Sequence, residues 1–143
     1  MKSLTFIIQQ LTFRGTIMGL DMYAFIVDVE VARGGSTDVA LGDTATEICY
    51  WRKFNALHGW MEDLYRQKGG TKQSFNCTTV RLTANDLDRL EMDTGNNNLI
   101  PRNGFFFGAQ EIYPEDLESV ATFVKVARQA ISDGKAVFYD SWW

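Results

Sequence analysis

The chain predicts an α+β fold: a small mixed or antiparallel sheet with two longer helices and one short helix packed mainly on one face. Three observations predict it. Residues 22–32, MYAFIVDVEVA, alternate with period two, as a strand does. Residues 46–67 and 114–133 repeat their apolar side chains at helical spacing, as amphipathic helices do. The closing AVFYDSWW is again aromatic and β-favouring. The half-polar second face of the first strand argues against a parallel sheet covered by helices on both sides.

In the first strand, Tyr23, Phe25, Val27, Val29 and Val31 share a face that should be buried throughout. Met22, Ala24, Ile26, Asp28 and Glu30 share the other, which turns polar and should be covered only in its first half. RGGSTDVALGDT (33–44) is a loop by composition. It lacks the Lys-Ser/Thr ending of a phosphate-binding loop. The longest helix is expected over 46–67, with Thr44 or Thr46 able to cap it. Tyr50, Phe54, Leu57, Met61 and Leu64 form its apolar stripe, and Gly69-Gly70 stops it.

FNCTTVRL (75–82) predicts a second strand. Thr83-x-x-Asp86 then reads as a capping box, opening a short acidic helix anchored by Leu87 and Leu90. GNNNLIPRNG is a polar loop, and GFFFGAQ (104–110) reads as a short buried strand. Pro114 suits the first turn of a helix, where Glu115 and Asp116 complement the dipole. Leu117, Val120, Ala121, Val124, Ala127 and Ile131 mark its buried side, and Asp133-Gly134 ends it.

At 143 residues the chain fits one domain with a sizeable core. The formal net charge is −4. Nucleic-acid binders carry a basic patch or stripe, and the basic groupings here, Arg52-Lys53 and Arg66, Lys68, Lys72, are modest. Direct nucleic-acid binding is not expected. An acidic protein can instead meet a basic surface. Gln9-Gln10 interrupt the only candidate leader, and no run approaches the ~20 apolar residues of a spanning helix. A cytoplasmic protein without membrane contact is expected. Cys49, in the predicted long helix, and Cys77, in the second strand, read as two buried free thiols. One His and no CxxC exclude the usual zinc spacings, so neither metal nor cofactor is expected.

Met18-Gly-Leu-Asp-Met-Tyr23, Glu47-Ile-x-Tyr-Trp-Arg-Lys-x-Asn-x-x-His58-x-Trp-Met, Gly104-Phe-Phe-Phe-Gly108 and the Tyr-x-Ser-Trp ending resemble a family of small proteins encoded by tailed bacteriophages and prophages. Its members typically open at the MGLDMY segment. The resemblance implies a domain over 18–143, with 1–17 as an N-terminal extension: a mis-chosen start, or an added edge strand. It implies no particular activity, so no catalytic residue is carried over.

The candidate site lies on the predicted long helix. Glu47, Trp51, Asn55, His58 and Glu62 follow one another at intervals of three or four, which makes each the next one's neighbour on a helix. With Arg52 they form either a binding face or a buried polar seam, since buried polar groups are normally satisfied. Trp142 and Trp143 are the second candidate, as an interface or as packing within the fold, because Trp is enriched in interface hot spots. No nucleophile–base order is recognisable. The expected function is a non-enzymatic accessory or binding protein, which the phage resemblance places in the host cytoplasm, with binding of a host factor as one form of it and the partner, host protein or small ligand, left open. The alternative is a small-molecule or nucleotide pocket on helix 46–67.

Overall fold

The computed structural model describes residues 19–100 and 111–143. The 1–17 extension and the strand expected at 104–110 lie outside the described residues. Within them, four antiparallel strands form one sheet in the order β2-β1-β4-β3. The α+β class and the antiparallel sheet follow the expectation, with the longer helices on one face.

β1 (Asp21–Asp28) and β4 (Lys135–Trp142) are the two central strands. Met22 and Ala24 point into the main core and are fully buried, joined by Val137 and Tyr139 of β4. The odd-numbered face is not buried throughout. Tyr23 and Val27 are buried, Phe25 is half-buried, and Val29 is exposed. The expected strand also ends early. Val29–Ala32 forms one helical turn, α1, closed by Arg33 in the left-handed region. The reason is the partner strand. Asp28 pairs with Lys135, the first residue of β4, so residues 29–32 have no ladder to join. Gly134 (φ 83°) makes the turn that starts β4, a backbone state that costs glycine little.

The helix expected over 46–67 is two elements. Thr46–Arg52 is a strand, β2, and Asn55–Gln67 is the helix α2. β2 pairs with β1 from Arg52 opposite Asp21 to Thr46 opposite Ile26, with a bulge at Ile48. Thr, Ile, Tyr and Trp suit a half-buried strand. The Lys53 N–H extends the ladder to Leu20 O at 2.8 Å. Lys53 itself adopts φ 58°, and this left-handed residue turns the strand into the helix without a Gly or Pro to mark it. The stripe Phe54, Leu57, Met61, Leu64 is buried as expected; Tyr50 is not part of it.

The second strand is also shorter than expected. β3 spans Val80–Leu82. Phe75–Thr79 is a strap rather than a strand, broken by Cys77 at φ 56°. It is clipped to β4 by Cys77 N–H to Ser141 O at 2.8 Å. The outer edge of β3 is closed by the 33–44 loop, with Arg81 N–H to Ser36 O at 2.8 Å and Asp38 N–H to Thr79 O at 3.0 Å.

α3 (Ala84–Gly95) starts at the Thr83–Asp86 capping box and buries Leu87 and Leu90. α4 (Pro114–Ser132) starts at Pro114, and the Tyr113 N–H reaches Asp116 Oδ2 at 2.8 Å. Its buried side is Val120, Phe123, Val124, Ala127 and Ala130. Phe123 joins the expected set, and Ala121 leaves it for solvent. α2, α3 and α4 contribute to the main apolar cluster with one sheet face. A smaller cluster on the opposite face joins Val27, Ala32, Ala136 and Phe138 to Val39 and Leu41 of the loop. Each large apolar side chain fully buried here contributes about 1.5–3 kcal/mol. No helix among the described residues is long and apolar enough to cross a membrane.

Candidate functional site

Because 46–67 is a strand followed by a helix, the six candidate residues do not form one helical face. Glu47 is exposed on the strand β2 at the end of the sheet order. Trp51 is buried between the sheet and α4: its indole N–H donates to Ser119 Oγ at 3.0 Å, and its ring meets Phe123 edge-on at 5.2 Å. Arg52 projects from the opposite sheet face, where its guanidinium donates to Asp21 Oδ1 at 2.9 Å. The Tyr50 hydroxyl donates to the same oxygen. Burial and this carboxylate push the Tyr50 hydroxyl up to about 12. Asp21 is thus a buried carboxyl that accepts from Tyr50 and Arg52 at the rim of the sheet.

Only Asn55, His58 and Glu62 share α2. Asn55 is buried at its first residue. His58 Nδ1 lies 2.7 Å from the Tyr139 hydroxyl, and its ring sits 5.0 Å from that of Phe75. Burial drives the Tyr139 pKa well above its ordinary value, so Tyr139 stays neutral and serves as a hydrogen-bonding group. Glu62 pairs with Arg66 at 3.4 Å on the helix surface. The sequence-predicted pocket is dispersed over two faces of a sheet and one helix.

Trp143 folds back on the strap. Its N–H donates to Asn76 Oδ1 at 3.0 Å, its carbonyl accepts from Asn76 Nδ2 at 2.7 Å, and its indole N–H donates to Phe75 O at 3.0 Å. Trp142 is half-buried and pairs in register with Asp21. Of the cysteines, Cys49 is half-buried on β2 and Cys77 is exposed on the strap, so the expectation of two buried thiols on a helix and a strand is corrected; both are free. Burial pushes the Cys49 thiol up to about 11, and partial desolvation of the Cys77 sulfur, with Asp140 nearby, also raises Cys77 although the residue as a whole is open to solvent. Neither is a ready thiolate nucleophile. The described residues hold no cluster of three or more His, Cys, Asp or Glu able to bind a metal ion.

Asp140 of β4 is the most perturbed carboxyl among those described: burial pushes it up to about 6, against the Ser141 N–H and Lys72, which favour its charge. A raised folded value means that the folded state binds more protons between about pH 4 and 6, so stability falls as pH rises through that window and the loss persists at neutral pH. Asp140→Asn keeps an acceptor for Ser141 N–H and removes the buried charge. It should stabilise the protein at pH 7.5 by on the order of 1–2 kcal/mol, discounted for partial solvent screening. Urea midpoints should show the gap closing near pH 4.

The feature that sequence reasoning missed is a cleft of about 480 Å³ between α2 and α3. Ala56, Trp60 and Leu64 of α2, Met92 of α3, and Leu99 and Ile100 form its apolar lining. Met92 is 63% exposed and Ile100 is 69% exposed, the two most exposed large apolar side chains among those described. Trp60 is fixed between polar groups. Its indole N–H donates to Asp93 Oδ2 at 2.8 Å, and the Arg89 guanidinium sits 5.9 Å from its ring centroid. Arg89 in turn reaches Gln67 Oε1 at 3.3 Å. The cleft thus offers a rigid aromatic anchor, two projecting apolar side chains and a polar rim. Its one sequence signal was Met92, an apolar residue among Glu91 and Asp93 and out of phase with Leu87 and Leu90. No family model matches the chain, and no curated protein or solved structure matches it.

Proposed function

We propose that this chain is a non-enzymatic binding protein of phage or prophage origin that engages a host protein through the cleft between α2 and α3. The carrying observation is the exposure of Met92 and Ile100 beside Trp60. Large apolar groups that cost free energy in water, grouped around an ordered Trp and rimmed by polar residues, are what protein interfaces use as anchors. The origin rests on the resemblance of the MGLDMY segment and the Glu47–Met61 motif to small phage proteins.

The test is co-purification from host cells with the tagged chain, wild type against Met92→Asp/Ile100→Asp. Both positions are exposed, so the double variant should keep its stability within roughly 0.5 kcal/mol. A stoichiometric host protein should be captured by the wild type and lost with the variant. The captured protein should then bind the purified chain at least about tenfold more weakly after the double substitution. Equal capture by both proteins would remove the cleft from the interaction.

A further inference from the structure

Resting on that binding reading, we infer that Met92 is an oxidation switch on the α2–α3 cleft. A hydroperoxide converts its thioether to the sulfoxide and abolishes partner binding, and reduction of the sulfoxide restores it. The step is an oxygen-atom transfer. The Met92 sulfur attacks one peroxide oxygen, the O–O bond breaks and an S–O bond forms. With hydrogen peroxide, the leaving hydroxide takes the proton of the transferred O–H and departs as water. Sulfur loses two electrons and the peroxide gains them. In the reverse direction two thiols of a reductase become a disulfide, and the oxygen leaves as water.

The fold makes the target selective. Oxidation of a thioether needs access to the sulfur. Met92 is exposed, whereas Met22 and Met61 are fully buried. Among the described residues Met92 is thus the one methionine open to solvent. Its position also gives the oxidation a consequence. Met92 lines the cleft from α3 beside Arg89 and Asp93, with Trp60 and Leu64 of α2 and Leu99 and Ile100 completing the wall. The core side of α3 is held by Leu87 and Leu90 instead, so an added oxygen at Met92 leaves the core intact. A flexible apolar side chain becomes a polar one, and seating an apolar group against it buries a dipole without a partner.

The new oxygen is also an acceptor, and Arg89 lies three residues before Met92, a neighbour on the helix surface. The present contacts of Arg89 are loose: 5.9 Å to the Trp60 ring centroid, 3.3 Å to Gln67 Oε1 and 3.8 Å to Asp86 Oδ1. Its guanidinium turns from the ring to the sulfoxide, so one oxygen atom alters both a projecting apolar group and the aromatic anchor.

The experiment treats the full purified chain with hydrogen peroxide, beside Met92→Leu, which stays apolar and cannot take up the oxygen. Peptide masses should show one oxygen on Met92 at a rate at least about tenfold that on Met22 or Met61, removed again by a methionine sulfoxide reductase with a thiol. The Trp60 indole N–H resonance should shift on oxidation, return on reduction, and hold still in peroxide-treated Met92→Leu. Urea midpoints of the reduced and oxidised chains should agree. The host protein captured by the reduced chain should bind the oxidised chain at least about tenfold more weakly and recover on reduction. Whatever its own affinity, Met92→Leu should bind alike before and after peroxide. Oxidation of Met92 no faster than that of Met22 would overturn the inference. A large fall in the urea midpoint would do so too, because oxidation would then act by unfolding. The same holds if peroxide disables Met92→Leu as fully as the wild type, since the target would lie elsewhere. If the oxidised wild type binds as tightly as the reduced while Met92→Asp/Ile100→Asp loses the partner, the switch fails and the binding reading stands. If the double variant also keeps the partner, or the reduced chain captures none, both fail.

Discussion

Trp51→Ala should destabilise the protein by about 3–5 kcal/mol, the cost of deleting a large aromatic from a packed core. The indole is wedged between β2 and α4, with Phe123 at its edge and Ser119 accepting its N–H. Removing it leaves a cavity that the sheet and α4 cannot both close, because each is held by its own backbone hydrogen bonds. Trp51→Phe should recover much of the loss by refilling the space, without the bond to Ser119. Denaturant unfolding of the three proteins gives the comparison. The binding reading adds a second requirement: Trp51→Phe, once folded, should retain the cleft's ligands, since Trp51 does not line it. A folded Trp51→Phe protein that lost partner binding would return the site to the β2–α2 stretch.

The same residue shows where the sequence was legible and where it was not. α4 was readable because Pro114, the acidic first turn and the 120, 124, 127 spacing are all local signals, and they agree. The Thr83–Asp86 box was readable for the same reason. β2 was not. Trp51, Asn55 and His58 continue the spacing of the true helix backward by chance, and a helix period outweighed the Thr, Ile, Tyr and Trp of a strand. What makes 46–52 a strand is its pairing with β1, some twenty-five residues earlier in the chain, and local pattern does not carry that information. The left-handed Lys53 that separates the two elements is neither Gly nor Asn, the usual marks of such a backbone. The candidate face dissolved with the helix that was to display it. The cleft stayed hidden because Trp60, Met92 and Ile100 come from three segments, and each looks unremarkable alone.

Asp86→Ala is expected to cost about 2–4 kcal/mol, since one carboxylate serves the α3 cap, the Lys68 ammonium and, at 3.8 Å, Arg89. It accepts the Thr83 N–H at 2.8 Å and the Thr83 hydroxyl at 2.9 Å, closing the cap of α3. It also pairs with the Lys68 ammonium just past α2, which in turn donates to Arg81 O of β3 at 2.7 Å. Loss of a cap costs about 0.5–2 kcal/mol, and a largely buried ammonium left without its anion adds to that. Burial alone would push the Asp86 carboxyl up; the Lys68 and Thr83 donors more than offset it and hold it below its ordinary 3.8. A depressed folded value contributes stability that is present above the unfolded pKa and is lost as pH falls through the folded one. The wild type should therefore weaken steeply below about pH 4, while Asp86→Ala, already without the pair, should show a shallower acid limb. The cap and the ion pair separate in Lys68→Met, which keeps Thr83 bonded to Asp86 and removes only the cation. Because the Lys68–Asp86 pair also sets the spacing between the C-terminal end of α2 and the start of α3, Lys68→Met should change the Trp60 indole resonance even where the fold persists. An unchanged Trp60 signal in a folded Lys68→Met protein would show that the cleft walls are positioned by the apolar core alone.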